Sequence, residues 1–212
     1  LEIDKRIVGE TYTSKDLLEN LKVLCDVYGS RWPGTENDRG SAEWIVEKLK
    51  EYGIENAHLE SFQFPGWERG PATLEVTSPI EREFDVISLP LGVAGEVESK
   101  LVFLGDGPVE VYEERKEEIE GNVVMVTSAT PLGMTRPLHR TEKFMRSVLA
   151  GARGWIFMNH YPAYGPPTGG ISPIIPSVGI NYEDGSYLQR LLERSGEVNV
   201  RIKSTDKKQE MT

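Results

Sequence analysis

Disulfides are excluded first. The 212-residue chain has one cysteine, Cys25, so no internal bridge supports its fold. Cys25 lies on the apolar side of a helical pattern and reads as a small core residue, with no histidine near it in sequence to make it a nucleophile. No apolar run is long enough to span a bilayer, and no secretory signal is visible, so the membrane drops out as a partner and the cytoplasm is favoured. Positive charge is scarce: 24 Lys and Arg stand against 34 Asp and Glu, for a formal net charge of -10. Such a surface repels nucleic acid and anionic lipid alike. Histidine is scarcer still. His58, His139 and His160 sit in "HLE", "HRT" and "HYP", and none forms HExxH. A Walker loop and a Gly-x-Ser-x-Gly elbow are missing too.

What remains is a globular composition, 38% hydrophobic and 27% charged, long enough to bury a core. Leu17, Leu18, Leu21, Leu24, Cys25 and Tyr28 share one helical face, with Thr13 or Ser14 as cap and Gly29 as stop. After the loop "GSRWPGT", a second helix places Ala42, Ile45, Val46, Leu49 and Tyr52 on one face. Gly53 and Ile54 then suit a Schellman ending. His58 to Phe64 reads as a strand and Phe64 to Pro71 as a loop. Strands dominate from Ala72 onward: Leu74 and Val76 alternate, Phe84 to Leu89 is apolar, and "KLVFLG" and "GNVVMVT" are short buried-strand patterns. The charged run from Val109 to Gly121 reads as a solvated face or short helix. A third helix, with Met145, Val148, Leu149 and Ala152 on one side, runs directly into the strand "GWIFMN". The loop "HYPAYGPPTGG" and the strand "IIPSVGI" follow. Asn181 and Asp184 then box the start of a helix bearing Leu188, Leu191 and Leu192. Gly196 ends it, and Val198, Val200 and Ile202 alternate in a last strand before the polar tail "STDKKQEMT".

The order "EGNVVMVTSAT", Gly151-Ala152, Gly154 to Asn159, Ile175-Pro176 and an acidic-Gly helix start resembles the protease-associated domain. The likeness runs from about Ala72 to Lys203. Upstream, "GSRWPGTENDRGSAEWIVEKLKEYGIENAHLESF" is similar to the amino-terminal segment of M28-type zinc aminopeptidases, in which such a domain is often inserted early. The resemblance implies an α/β, mixed α+β fold: a protease-associated mixed sheet with peripheral helices, preceded by a helical peptidase segment. The divisions expected are residues 1–66 for that segment, with two helices and a strand, 72–203 for the protease-associated domain, and 204–212 for a polar tail leading toward a catalytic domain. The chain begins at Leu1 rather than methionine, which suits a fragment or a processed form.

M28-type peptidases hold two zinc ions with a His-x-Asp pair, a bridging Asp, paired glutamates and a late His. None of the three histidines here is followed by x-Asp, and the adjacent glutamates 113–114 and 117–118 lie in the charged run. No catalytic and no metal-ligating residue is therefore assigned, and no cofactor is expected in this chain. The resemblance implies zinc in a full-length parent that hydrolyses peptides, with this part as a lid that gates substrate. Its partners would be the parent's catalytic domain, peptide substrates and, as one way of covering the first two helices, a second copy of the chain. Receptors that keep the architecture without peptidase activity supply the alternative, a non-enzymatic interaction module. An independent hydrolase ranks last. Arg31, Trp32, Trp67 and Arg69 are the substrate-approach candidates. Arg31 and Trp32 either line a neighbouring active site or stand beside a turn built by Pro33, Gly34 and Thr35. For Trp67 and Arg69, a role in setting the domain junction is favoured over contact with substrate.

Overall fold

The computed structural model describes residues 1–211, with side chains described through residue 208. The chain divides into two compact units, one of Leu1–Gly66 with the end of the last strand, the other of Trp67–Gln209.

The first unit is helical. Helix α1 spans Glu2–Thr13 and buries no side chain. Helix α2 spans Asp16–Lys22, with the Ser14 hydroxyl accepting from the Asp16 amide at 3.2 Å. It widens into π-helical turns over Val23–Tyr28, and Gly29 stops it at φ 59°. Within this stretch Leu17, Leu18 and Leu21 are exposed. Cys25 is exposed as well, contrary to the core position expected from its helical face. The periodicity is present, but no layer of the unit covers that side of the helix. Helix α3, Glu36–Glu51, follows its signals closely. The Thr35 hydroxyl accepts from the Asp38 amide, Gly53 adopts φ 90°, and the Ile54 amide donates to the Leu49 carbonyl at 2.9 Å. That last pairing is the 6→1 bond of a Schellman motif.

The strand expected over His58–Phe64 is displaced. Residues 55–63 form no strand, and β1 spans Phe64–Glu68, inside the expected loop. The cause is its partner. Strand β10, Lys207–Met211, pairs with β1 in a two-stranded ribbon, and pairing decides where a strand forms. Pro65 is tolerated because each strand of such a ribbon has a free edge.

The second unit is built on one eight-stranded mixed sheet. Its strands are β2 (Ala72–Ser78), β3 (Arg82–Phe84), β4 (Val86–Ser88), β5 (Gly95–Phe103), β6 (Val123–Thr127), β7 (Gly154–Met158), β8 (Ser177–Ile180) and β9 (Asn199–Ser204). They lie in the order β3-β2-β9-β5-β6-β7-β8-β4. The run β5-β6-β7-β8 is parallel, and every other neighbouring pair is antiparallel. Only Asp85 separates β3 from β4, although these are the sheet's two edges. One residue spans at most about 7 Å, so the edges must lie close and the sheet must curl back on itself.

The curl explains the core. All eight strands contribute to one apolar cluster, from Leu74 and Phe84 through Val97, Met125, Ile156 and Ile180 to Val86 and Ile202. Helix α7 (Tyr182–Ser195) adds Leu188 to that cluster. Helices α4 (Val111–Glu114), α5 (Lys116–Ile119) and α6 (Arg140–Leu149) supply Tyr112, Ile119 and Phe144 to a second cluster, with Val124, Val126, Trp155 and Phe157 from β6 and β7. Strands β6 and β7 are thus buried on both faces and read as unbroken apolar runs. Each fully buried Val, Leu or Ile contributes roughly 1.5–3 kcal/mol.

Helix α6 turns inward the side expected of it at Met145, Val148 and Ala152, which pack in the second cluster, but not at Leu149. Lys143, Phe144 and Ser147 are buried, while Leu149 is 76% exposed. The large Phe144 ring sets the phase by packing edge-on against Trp155, centroids 5.3 Å apart. The helix then reaches β7 through Gly151 at φ 93°, with the Ala152 amide donating to the Ser147 carbonyl at 3.0 Å. Gly154 is needed for close approach, since a Cβ there would meet Val97 Cγ1 at 2.8 Å and Val123 Cγ2 at 3.1 Å.

Candidate functional site

Parallel strands deliver their carboxyl ends to one edge of a sheet, and in open α/β sheets that edge commonly carries ligands. Here β5, β6 and β7 bring Asp106, Thr127, Ser128 and His160 to it. The Thr127 hydroxyl donates to Asp106 Oδ1 at 2.5 Å. Ser128 Oγ lies 2.6 Å from His160 Nδ1 and also accepts from the His160 amide at 3.1 Å. Asn159 shapes the loop that follows, its Nδ2 donating to the Gly165 carbonyl while its Oδ1 accepts from the Tyr161 amide.

Behind this edge lies Lys143, fully buried. Its ammonium donates to the Thr127 carbonyl at 2.9 Å and the Ala129 carbonyl at 2.5 Å. Burial pulls the amine down from an ordinary value of 10.5 to about 8, against the opposing charge of Asp106. A neutral amine keeps two N–H donors, enough for both carbonyls. Lys143 therefore pins the loop after β6 to α6 in either charge state. The sequence signal for it was present in the phase of α6, where Lys143 and Ser147 fall on the face of Phe144.

Among the described residues, the Ser128–His160 pair has two parts of a nucleophilic relay but no carboxylate bonded to the His160 ring. A catalytic imidazole needs a carboxylate to orient it, and Asp106 is engaged by Thr127.

A second polar group closes the stem of this unit. Asp206, 6% exposed, accepts from the Ser88 hydroxyl at 2.7 Å and the Gly70 amide at 2.9 Å, both on Oδ1. The Thr205 amide and hydroxyl both donate to the Pro71 carbonyl, and Ala72 pairs with Ser204. The chain therefore enters and leaves the sheet through adjacent, mutually bonded strands.

Two of the four substrate-approach candidates lie in each unit. Arg31 spends Nη1 on the carbonyls of Leu24 and Gly29, which anchors the end of the π-helical turns. Trp32 is 37% exposed, and its carbonyl accepts from the Thr35 amide and hydroxyl. In the sheet-bearing unit, Trp67 is 6% exposed and the Arg69 guanidinium lies over its ring at 5.4 Å from the centroid. The structure thus brings Trp67 and Arg69 together.

The three histidines serve separate local roles. His58 bonds the Asn56 carbonyl and approaches Glu60, His139 caps α6 by accepting from the Thr141 amide, and His160 pairs with Ser128. Among the described residues, no group of three or more His, Cys, Asp or Glu side chains is placed to hold a metal. Nor is any helix long and apolar enough to cross a membrane.

Comparison with known proteins adds the relationships. Residues 94–188 match the family model of the PA domain. The chain is 26% identical over 200 residues to carboxypeptidase Q of Bos taurus, a match covering 87% of this chain and 41% of the relative. Carboxypeptidase Q of Homo sapiens is 24% identical over 201 residues with the same coverage. The chain thus spans about two fifths of the length of the curated relatives it matches. Among solved structures, a peptidase M28 precursor from Shewanella amazonensis SB2B superposes with a TM-score of 0.77 at 18% identity, covering 98% of this chain and 50% of that one. A zinc aminopeptidase from Bacillus subtilis superposes with a TM-score of 0.60 at 19% identity, covering 91% and 44%. Residues 94–188 thus match the PA domain model, and the fold of the chain is similar to that of about half of a peptidase M28 precursor.

Proposed function

We propose that this chain is the gating part of a two-zinc exopeptidase, with the sheet-bearing unit as a lid over a catalytic domain that the chain does not itself supply. The observation that carries the reading is the stem. Because Ala72 pairs with Ser204 and Asp206 ties Gly70 to Ser88, the unit occupies hardly more than a hairpin's width in whatever body it is inserted into. A module with adjacent ends is accepted by a host fold without disturbing it. Two further facts support the reading. The chain spans only 41% of its curated relatives, and the first unit leaves Leu17, Leu18 and Leu21 exposed, as a surface made for a neighbour would be.

Zinc in this reading belongs to the parent. Ligands of the type that two-metal hydrolysis requires are not grouped among the described residues, so no step is assigned through metal here. The names of the relatives divide between carboxypeptidase and aminopeptidase, and both describe removal of residues from a peptide's end. Arg31, Trp32, Trp67 and Arg69 are proposed to face the approach to the cleft. Division of the chain at residues 66 and 72, with a tail from 204 toward the catalytic domain, belongs to the same proposal.

Excision of the lid tests it. In the parent, residues 72–203 are replaced by a short Gly-Ser linker, which the paired ends allow. The expected result is that kcat/KM for a dipeptide analogue changes by less than about threefold, while that for a long peptide rises about tenfold as the cleft opens. An equal loss for both substrates contradicts a gating role.

A further inference from the structure

Among the described residues, the lysines and arginines that are at least half-buried almost all have a counter-charge. Arg115 pairs with Glu118, Arg146 with Glu142, Arg201 with Glu75 and Glu98, and Lys48 with Glu51. Lys143, fully buried, has two carbonyls instead. Arg140, at the start of α6, is the exception: it is half-buried and makes no ion pair with any described carboxylate. Its Nε donates to the Gly170 carbonyl at 2.7 Å, which fixes the guanidinium in place. Nη1 and Nη2 have no partner among the described residues, and neither is shut off from the surface. Withdrawing a charge from water is costly unless an opposite charge meets it, so a fixed, half-buried fork of free N–H groups is a site open to an external acceptor.

The surroundings withhold acid. Asp and Glu make up 34 of 212 residues, yet the segments 86–95, 128–141 and 159–181 contain none. These segments meet at Arg140: Gly170 accepts from its Nε, the Ile171 amide donates to the Pro90 carbonyl at 2.9 Å, and Gly170 lies against Leu91. Carboxylates on the flanking elements are engaged elsewhere. Glu142 is held by Arg136 and Arg146, Asp106 by the Thr127 hydroxyl, and Asp206 by Ser88 and Gly70. The adjoining loop adds donors. Gly169 must be glycine, because a Cβ there would collide with Nε and Cζ of Arg140. The amides of Thr168, Gly169 and Gly170 make no hydrogen bond among the described residues. Unbonded backbone N–H groups of a glycine-rich turn, beside a cation, suit an oxyanion. Leu91 borders the loop, 46% exposed and at φ 66°, a left-handed conformation that leucine rarely adopts.

We propose that Arg140 and the Thr168–Gly170 turn form a binding site for a phosphate group. Two phosphate oxygens accept from Nη1 and Nη2 of Arg140, and the unbonded amides of the turn supply the further donors. Charge-assisted bonds are the strong ones, and the planar fork of a guanidinium matches two oxygens of one anion where an ammonium does not. The inference does not depend on the peptidase reading.

Chemical-shift titration of the full chain with inorganic phosphate tests it, at constant ionic strength and with acetate as the control. Phosphate is expected to move the amides of Thr168, Gly169 and Gly170 and the guanidinium resonances of Arg140, saturably and with a Kd of a few millimolar, on the order expected for one exposed charge-assisted contact. The guanidinium signals are read in the wild-type chain, so this arm needs no variant. Arg140→Lys keeps the charge and loses the fork, and should weaken phosphate about tenfold. Arg153→Gln, at an exposed arginine with no ion pair, should leave the affinity as it is. Phenyl phosphate separates the sources. Tighter binding than inorganic phosphate identifies a phosphomonoester whose organic group lies on Leu91, and equal or weaker binding identifies the free ion. The proposal is overturned if phosphate at about 50 mM, near saturation for a millimolar site, leaves the Arg140 guanidinium resonances unmoved. It is overturned equally if acetate matches phosphate, or if folded Arg140→Lys binds phosphate as the wild type does.

Discussion

Lys143→Met is expected to make the stability of the protein less dependent on alkaline pH than that of the wild type. Lys143 is fully buried, and its amine is held near 8 against an ordinary 10.5. Below pH 8 the amine is charged in both folded and unfolded chains, and the folded chain bears the whole cost of burying that charge. Between about 8 and 10.5 the folded chain releases the proton while the unfolded chain retains it. The unfolded state then binds more protons, so stability rises with pH. The separation of the two values, at about 1.4 kcal/mol per unit, amounts to about 3 kcal/mol in all. Methionine fills similar space and cannot titrate, and every other group cancels when the two proteins are compared. The substitution also strands the Thr127 and Ala129 carbonyls, at about 1–3 kcal/mol each, so the difference at a single pH is ambiguous and its slope is not. Urea unfolding of both proteins at pH 7, 8, 9 and 10 supplies the measurement. Wild type should gain about 2–3 kcal/mol on the variant from pH 7 to pH 10. A flat difference, or one that falls as pH rises, would mean that the amine is not destabilised by burial and would refute the reasoning.

Other expectations follow from the stem, the core and the first unit. Asp206→Ala should cost about 3 kcal/mol by stranding the Gly70 amide and the Ser88 hydroxyl, read as a fall of several degrees in melting temperature, with Asp206→Asn milder because it keeps an acceptor. Gly154→Ala should cost about 1–3 kcal/mol in chemical unfolding, because its Cβ would press on Val97 and Val123 in the middle of the sheet. Light scattering over a concentration series should detect weak self-association of the chain through the exposed Leu17, Leu18 and Leu21, abolished by Leu18→Glu with Leu21→Glu.

The elements legible in the sequence are those whose signals are local. Thr35, Gly53 and Ile54 cap α3 as their chemistry dictates, and Asn181 with Asp184 does so for α7, where the Asp184 amide donates to Asn181 Oδ1 at 2.7 Å. The apolar runs of β6 and β7 are likewise visible because both faces are buried, with Thr127 at the end of β6 the one polar exception. What escaped depends on distant partners. Strand β1 forms where β10 can reach it, and the curl of the sheet comes from Asp85 joining two edges whose identity no short window contains. In α6, periodicity alone left out Lys143 and turned Leu149 inward, since a lysine with two carbonyl acceptors counts as buried and an unopposed leucine does not. The Ser128–His160 pair lies 32 residues apart in sequence and meets only because β6 and β7 are parallel neighbours. The four residues named for substrate approach stood on local composition, and that same locality is why half of them fall in each unit.

The central claim is that peptide hydrolysis requires residues outside this chain. Its most direct test is the purified chain itself, with added zinc or cobalt, assayed on aminoacyl-nitroanilides and on N-blocked dipeptides with free carboxyl ends. The account predicts turnover at background for both substrates and no saturable rise in melting temperature with metal, since an ion bound only by the native state would have to raise it. Turnover that a chelator abolishes and zinc restores would contradict the account.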